Sequence, residues 1–203
     1  MVAAVLALSA VVSATASAGE FTAESYPSTL VGSKGAVADS FNTTTGNVNC
    51  KSPSYHGTIS AATTTILVTP TYAECTGFGF PATIDTNGCH YLFHIPAVGN
   101  VGTVDIVCTE GNEITVTASA AGTVKCTVHV PSQTVGGTIT YANSGVGSTR
   151  QVTIAANLNS IDYTHTQGTG IGSCPGGSGA AGTLEGSGVV KGGSATHVGL
   201  FIS

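Results

Sequence analysis

Charge is the scarcest property of this 203-residue chain. Charged residues make up 7% of it, with 5 Lys+Arg against 10 Asp+Glu and a formal net charge of −5, whereas soluble domains average about 25%. So few cations argue against a nucleic-acid partner, which must be met by enough Lys and Arg to displace counterions from phosphate. The same shortage argues against a basic membrane-surface protein. Trp is absent, which removes the usual stacking platform of a sugar-cleaving cleft. No C-x-x-C pair occurs, so the commonest zinc and thioredoxin-like signatures are missing. Strong helix formers are sparse, and Gly and Thr interrupt every window that would sustain a helix. Disorder is excluded in turn, because 41% of residues are hydrophobic and net charge is low.

What is present begins with export. Residues 2–12 read VAAVLALSAVV, too short for a bilayer span, which needs about 20 apolar residues. The run suits the apolar core of a secretory signal. Ala16-Ser17-Ala18 supplies small residues for cleavage after Ala18, although no Lys or Arg precedes the run. The expected organisation is a signal peptide, 1–18, and one domain, 19–203, with a boundary near 131–137 as the alternative. No other segment is apolar enough to span a membrane, so none is expected after cleavage. All six cysteines (Cys50, Cys75, Cys89, Cys108, Cys126 and Cys174) follow the signal. An even count in an exported chain reads as disulfides.

Period-two alternation pervades the rest. Thr115-Val116-Thr117 and Thr127-Val128-His129-Val130 each send one side-chain set inward and the other to water. Similar runs recur at 36–42, 55–60, 64–70, 81–86, 89–95, 103–108, 113–118, 123–130, 136–142, 150–157, 160–165, 183–191 and 195–202, separated by turn signals such as Asn87-Gly88, where both turn positions need positive φ. The expected fold is all-β, an antiparallel β-sandwich or jelly-roll-like arrangement stapled by disulfides, with essentially no helix. The Gly-rich stretch Gly168–Gly188 reads as a long loop.

Strand register suggests the cysteine pairing. If 55–60 and 65–70 form a hairpin, matching apolar faces requires opposed residue numbers to sum to 125. Cys50 and Cys75 share that sum. Pairing 89–95 with 102–108 at a sum of 197 places Tyr91 opposite Ile106, Phe93 opposite Val104 and Cys89 opposite Cys108. Cys126, on a face shared with Val124, Val128 and Val130, is left to meet Cys174. The expected set is Cys50–Cys75, Cys89–Cys108 and Cys126–Cys174, one of fifteen connectivities.

Motifs for chemistry are weak. His90 and His94 lie four apart on a strand, about 13 Å from each other, too far to share one ion with ligands at about 2 Å. His56 and His129 likewise read as polar-face residues. Asp85-Thr86-Asn87-Gly88 is a hairpin turn rather than a calcium loop, which needs more oxygen donors and a distal Glu. Glu110 and Glu113 flank a turn without a sugar platform between them. Residues 177–182 match G-x-G-x-x-G but lack the strand-to-helix context that gives the pattern meaning. No spacing singles out a Ser/His/Asp triad, although Asp162 and several His and Ser are available. Asn42-Thr43-Thr44 is an N-glycosylation sequon. No catalytic residue, metal site or cofactor is expected. The segment Thr76-Gly77-Phe78-Gly79-Phe80-Pro81 stands out, because Phe78 and Phe80 form either a candidate partner-contact loop or a small apolar cluster packed beneath a disulfide.

Cys75-Thr-Gly-Phe-Gly-Phe-Pro-Ala82, Asn87-Gly88-Cys89, Val104-Asp105-Ile106-Val107-Cys108 and Val128-His129-Val130-Pro131 together resemble a group of uncharacterised exported Cys-rich β proteins of high-GC Gram-positive bacteria. The resemblance covers most of the chain after the signal. It implies an extracellular or cell-surface location and carries no known activity. The resulting expectation is a secreted structural or binding module with an unidentified surface or extracellular partner. An extracellular hydrolase and a fimbria-like subunit polymerising through the apolar strand 195–202 are the alternatives.

Overall fold

The computed structural model describes residues 19–96, 99–170, 172–193 and 200–203. The expected signal segment, 1–18, and residues 195–199 of the expected last strand lie outside the described residues. Helix is limited, among the described residues, to one 3-10 turn at Gly147–Thr149. Everything else regular is strand: β1 (Phe21–Ala23), β2 (Ser28–Lys34), β3 (Asp39–Thr43), β4 (Gly46–Cys50), β5 (Ser54–Ile59), β6 (Thr65–Thr71), β7 (Cys75–Gly77), β8 (Phe80–Asp85) and β9 (Cys89–His94). The second half supplies β10 (Val101–Cys108), β11 (Glu113–Ala120), β12 (Thr123–Pro131), β13 (Gln133–Thr134), β14 (Gly136–Ser144), β15 (Gln151–Gln167), β16 (Gly177–Gly192) and β17 (Leu200–Ile202). Every pairing is antiparallel, so the all-β antiparallel expectation holds.

The pairings close on themselves twice. One ring runs β10–β14–β15–β16–β2–β5–β6–β9 and returns to β10. The other runs β15–β12–β11–β8–β7–β4–β3–β16 and returns to β15. The two share the long strands β15 and β16, whose first pairing stretch, Val152–Leu158 with Leu184–Val190, belongs to the first ring. Their second stretch, Ile161–His165 with Gly177–Gly182, belongs to the other, and the register shifts between Leu158, Ile161 and Tyr163 mark the handover. Ser160 takes φ +56 there, a left-handed conformation at the irregularity in the ladder. A ring of eight strands is just wide enough for side chains to fill its interior or to hold one small ligand.

Alternation explains what fills the rings. Val104 and Ile106 of β10, Ile139 and Tyr141 of β14, and Val152 and Ile154 of β15 are all buried, while their neighbours along each strand are more exposed. In the second ring Ile114, Val116 and Ala118 face Cys126, Val128 and Val130. The two sets belong to one continuous core. The paired ends β1 and β17 cover the outer end of the first ring. Phe21 and Leu200 are fully buried there, and Phe21 meets Tyr141 edge-on with centroids 5.5 Å apart.

All three cysteine pairs are joined as expected, Cys50–Cys75 and Cys89–Cys108 from strand register and Cys126–Cys174 by elimination. The β5–β6 hairpin has the sum of 125. That sum reappears where β4 pairs β7, placing Cys50 opposite Cys75 with Cα atoms 4.1 Å apart. Strands β9 and β10 pair at the sum of 197, with Cys89 and Cys108 opposed at 3.9 Å.

Four expectations need correction. The Gly-rich stretch does not stay a loop: the strand expected at 183–191 reaches back to Gly177, and the G-x-G-x-x-G run lies along it. The separate runs 150–157 and 160–165 are one bulged strand, β15. Val124 does not share the buried face of Cys126, because a register shift after Ala118 turns it outward, 41% exposed. Strands β1, β2, β4, β7 and β13 were not expected at all; all but β2 are only two to five residues long, too short to show alternation clearly.

Candidate functional site

The most distinctive polar cluster lies where the two rings meet. Asp39 begins β3, Tyr55 lies in β5, Tyr72 follows β6 and Tyr91 lies in β9. The Tyr55 hydroxyl donates to Asp39 Oδ2 at 2.5 Å, and the Tyr72 and Tyr91 hydroxyls lie 2.5 Å apart. Two cavities of about 60 Å³ open on either side of this cluster, and Asp39, Tyr72, Tyr91 and Leu184 line both. The remaining walls are mainly apolar.

The sequence of β16 makes room for this arrangement. A Cβ at Gly186 would overlap Asp39 Oδ1, and one at Gly188 would stand 3.1 Å from Tyr55 Cε2. The absent side chains let the carboxylate and the phenol lie across the strand. Burial raises the Asp39 pKa above its ordinary 3.8, opposed in part by the Tyr55 hydrogen bond and by Lys34. Burial also raises the phenols. Tyr91 is pushed up to about 12, with the Tyr72 hydrogen bond opposing and the Asp39 charge adding. Tyr55 and Tyr72 are also raised well above the usual phenol range, chiefly by burial. These phenols are therefore neutral hydrogen-bonding groups at ordinary pH.

The five described histidines do not gather. His56 is exposed on β5. His90 Nδ1 lies 2.8 Å from Thr69 Oγ1. His94 Nε2 contacts Asp105 Oδ2 at 2.9 Å, and His129 Nδ1 lies 3.0 Å from Glu113 Oε1 but out of line for a hydrogen bond. No imidazole among the described residues bonds both a carboxylate and a hydroxyl, so the parts of a nucleophilic triad are present but separated. Asp162 is exposed, its backbone held by Gln133. Among the described residues no group of His, Cys, Asp and Glu is arranged to hold a metal. Asn87 and Gly88 take φ +49 and +75, and Asn87 N donates to Asp85 Oδ1 at 2.9 Å, so this segment is the hairpin turn expected. Glu110 lies in the β10–β11 connection, while Glu113 begins β11.

Phe78 and Phe80 are partly buried and pack against the core. Phe78 and Gly79 take φ +54 and +83, forming the tight turn between β7 and β8. Phe78 meets His165 edge-on at 5.7 Å. His165 was not singled out from sequence. It is 7% exposed, its ring centroid is 4.9 Å from that of Tyr163, and its Nε2 is 3.2 Å from Thr45 Oγ1. Burial lowers its pKa below 6.5. Its place in an alternating run with Ile161 and Tyr163 was the available signal. Asn42 of the sequon is half-buried on β3, its amide 3.4 Å from Thr183 Oγ1.

Comparison with family models, with curated proteins and with solved structures finds no match to this chain. No helix among the described residues is long and apolar enough to cross a membrane.

Proposed function

We propose that this protein is an exported structural or binding module of the cell surface or extracellular space, and that it performs no catalysis. The observation that carries this reading is the bracing of two closed strand rings by three disulfides. Disulfides form and persist in oxidising compartments. Closure by itself blunts the exposed strand edges on which chains aggregate. The dispersal of histidines and carboxylates among the described residues supports the non-catalytic side of the reading. The resemblance to exported Gram-positive β proteins fits the same location.

The test is fractionation of producing cells with N-terminal sequencing of the product, followed by a panel of ester, glycan and peptide substrates. The expected product lies outside the cytosol, begins after Ala18 and turns over none of the panel. Cytosolic retention with reduced thiols, or turnover abolished by changing one Asp, Glu, His or Ser, overturns the proposal.

A further inference from the structure

The junction of the two rings contains hydrogen-bonding capacity that no described residue uses. Asp39 is 9% exposed. Its Oδ2 accepts from Tyr55, while its Oδ1 has no hydrogen-bond partner among the described residues. Tyr72 and Tyr91 share one hydrogen bond, so one of their two hydroxyl protons has no acceptor there. A buried carboxylate relieved by one neutral donor and no ion pair is unfavourable. Lys34, the cation that influences it, is itself exposed. Around these groups the cavity wall is hydrocarbon and aromatic, including Val68, Phe93 and Leu184. The unmet requirement is therefore for a positive charge bearing N–H donors on a short apolar body.

We propose that the junction is a binding site for a small alkylammonium ion, with its nitrogen on Asp39 Oδ1 and its alkyl chain along Val68, Phe93 and Leu184. The ammonium completes the ion pair that Asp39 lacks, and phenol rings beside it suit a cation. Size sets the class. One water-sized centre occupies about 10–15 Å³, so a cavity of about 60 Å³ takes a chain on the order of four or five non-hydrogen atoms. The site rests on cavity geometry and is independent of where the protein resides.

The test is titration of the oxidised chain with n-butylammonium chloride and, separately, with n-butanol, its uncharged match in size, at constant ionic strength. Binding is read by calorimetry and by the NMR shifts of the tyrosine rings. The expected result is saturable binding of n-butylammonium that perturbs Tyr72 and Tyr91, at least tenfold tighter than n-butanol. Asp39→Asn should abolish that preference. Should this variant not fold, the comparison of the two probes on the unaltered protein decides alone. Absence of saturable binding, equal binding of the two probes, or an undiminished preference in folded Asp39→Asn overturns the proposal.

Discussion

Tyr55 passes over Gly32 of β2 and Gly188 of β16 to donate its hydroxyl to Asp39, 16 residues earlier in the chain, at 2.5 Å. The contact satisfies one oxygen of a buried carboxylate. Tyr55→Phe keeps the ring packing and removes only that donor. Leaving a buried acceptor unsatisfied costs about 1–3 kcal/mol. Urea unfolding of Tyr55→Phe should therefore show a lower midpoint with an unchanged slope. An unchanged midpoint would mean that the hydroxyl contributes nothing net.

Asp39 also gives stability a pH dependence of definite sign. Its folded-state pKa is raised above 3.8, mainly by burial, so the folded protein holds this proton more tightly than the unfolded chain does. The contribution is fully present below 3.8 and is lost as pH rises through the raised folded value. Asp39→Asn should remove that decline, read as unfolding midpoints across the acid range.

His165 acts with the opposite slope. Burial lowers its folded pKa below 6.5, so the unfolded chain binds the proton more readily. The contribution is full above 6.5 and is lost as pH falls from there toward the lowered folded value. His165→Gln should flatten stability below pH 6.5, whatever it does to stability at neutral pH. A slope identical to that of the unaltered protein would show that the imidazole is not held neutral by its site.

Gly186 tests the close approach of β16 to Asp39. A methyl group at this position would overlap the carboxylate, and forcing extra carbon into a packed interior costs about 1–3 kcal/mol. Gly186→Ala should lower the thermal midpoint. It should also weaken any ligand held at Asp39.

Phe78 separates packing from partner contact. Replacing it with Ser removes a half-buried ring that meets His165 edge-on, and burying such a ring contributes about 1.5–3 kcal/mol when complete. The thermal midpoint should fall by an amount consistent with a fraction of that. An unchanged melt would return the β7–β8 turn to the role of an exposed contact.

How much of this was legible in the residues differs by element. Cys50–Cys75 and Cys89–Cys108 could be placed because a one-residue slip would send each strand's apolar set to the wrong face, and the observed registers keep the required sums. Cys126–Cys174 followed only by elimination, since Cys174 lies outside the strands. Strand β16 was legible only in part: the run 183–191 alternates, but the Gly- and Ala-rich start from Gly177 to Gly182 supplies too few large side chains to show a period, and the bareness of Gly186 and Gly188 admits Asp39 and Tyr55. Ring closure was hidden: pairing β9 with both β6 and β10 is a long-range relation that no local pattern encodes. The junction cluster draws on four separate strands or their ends, so Asp39, Tyr55, Tyr72 and Tyr91 stood in sequence as isolated residues. His165 looked like one more polar residue until the second ring enclosed it.

The central claim is that oxidation outside the cytosol braces the paired rings through three disulfide bonds. Thiol titration of the protein recovered from outside the producing cells, unfolded in denaturant without reductant, addresses it most directly. The account predicts no titratable sulfhydryl before reduction and six after it. Six before reduction would contradict it.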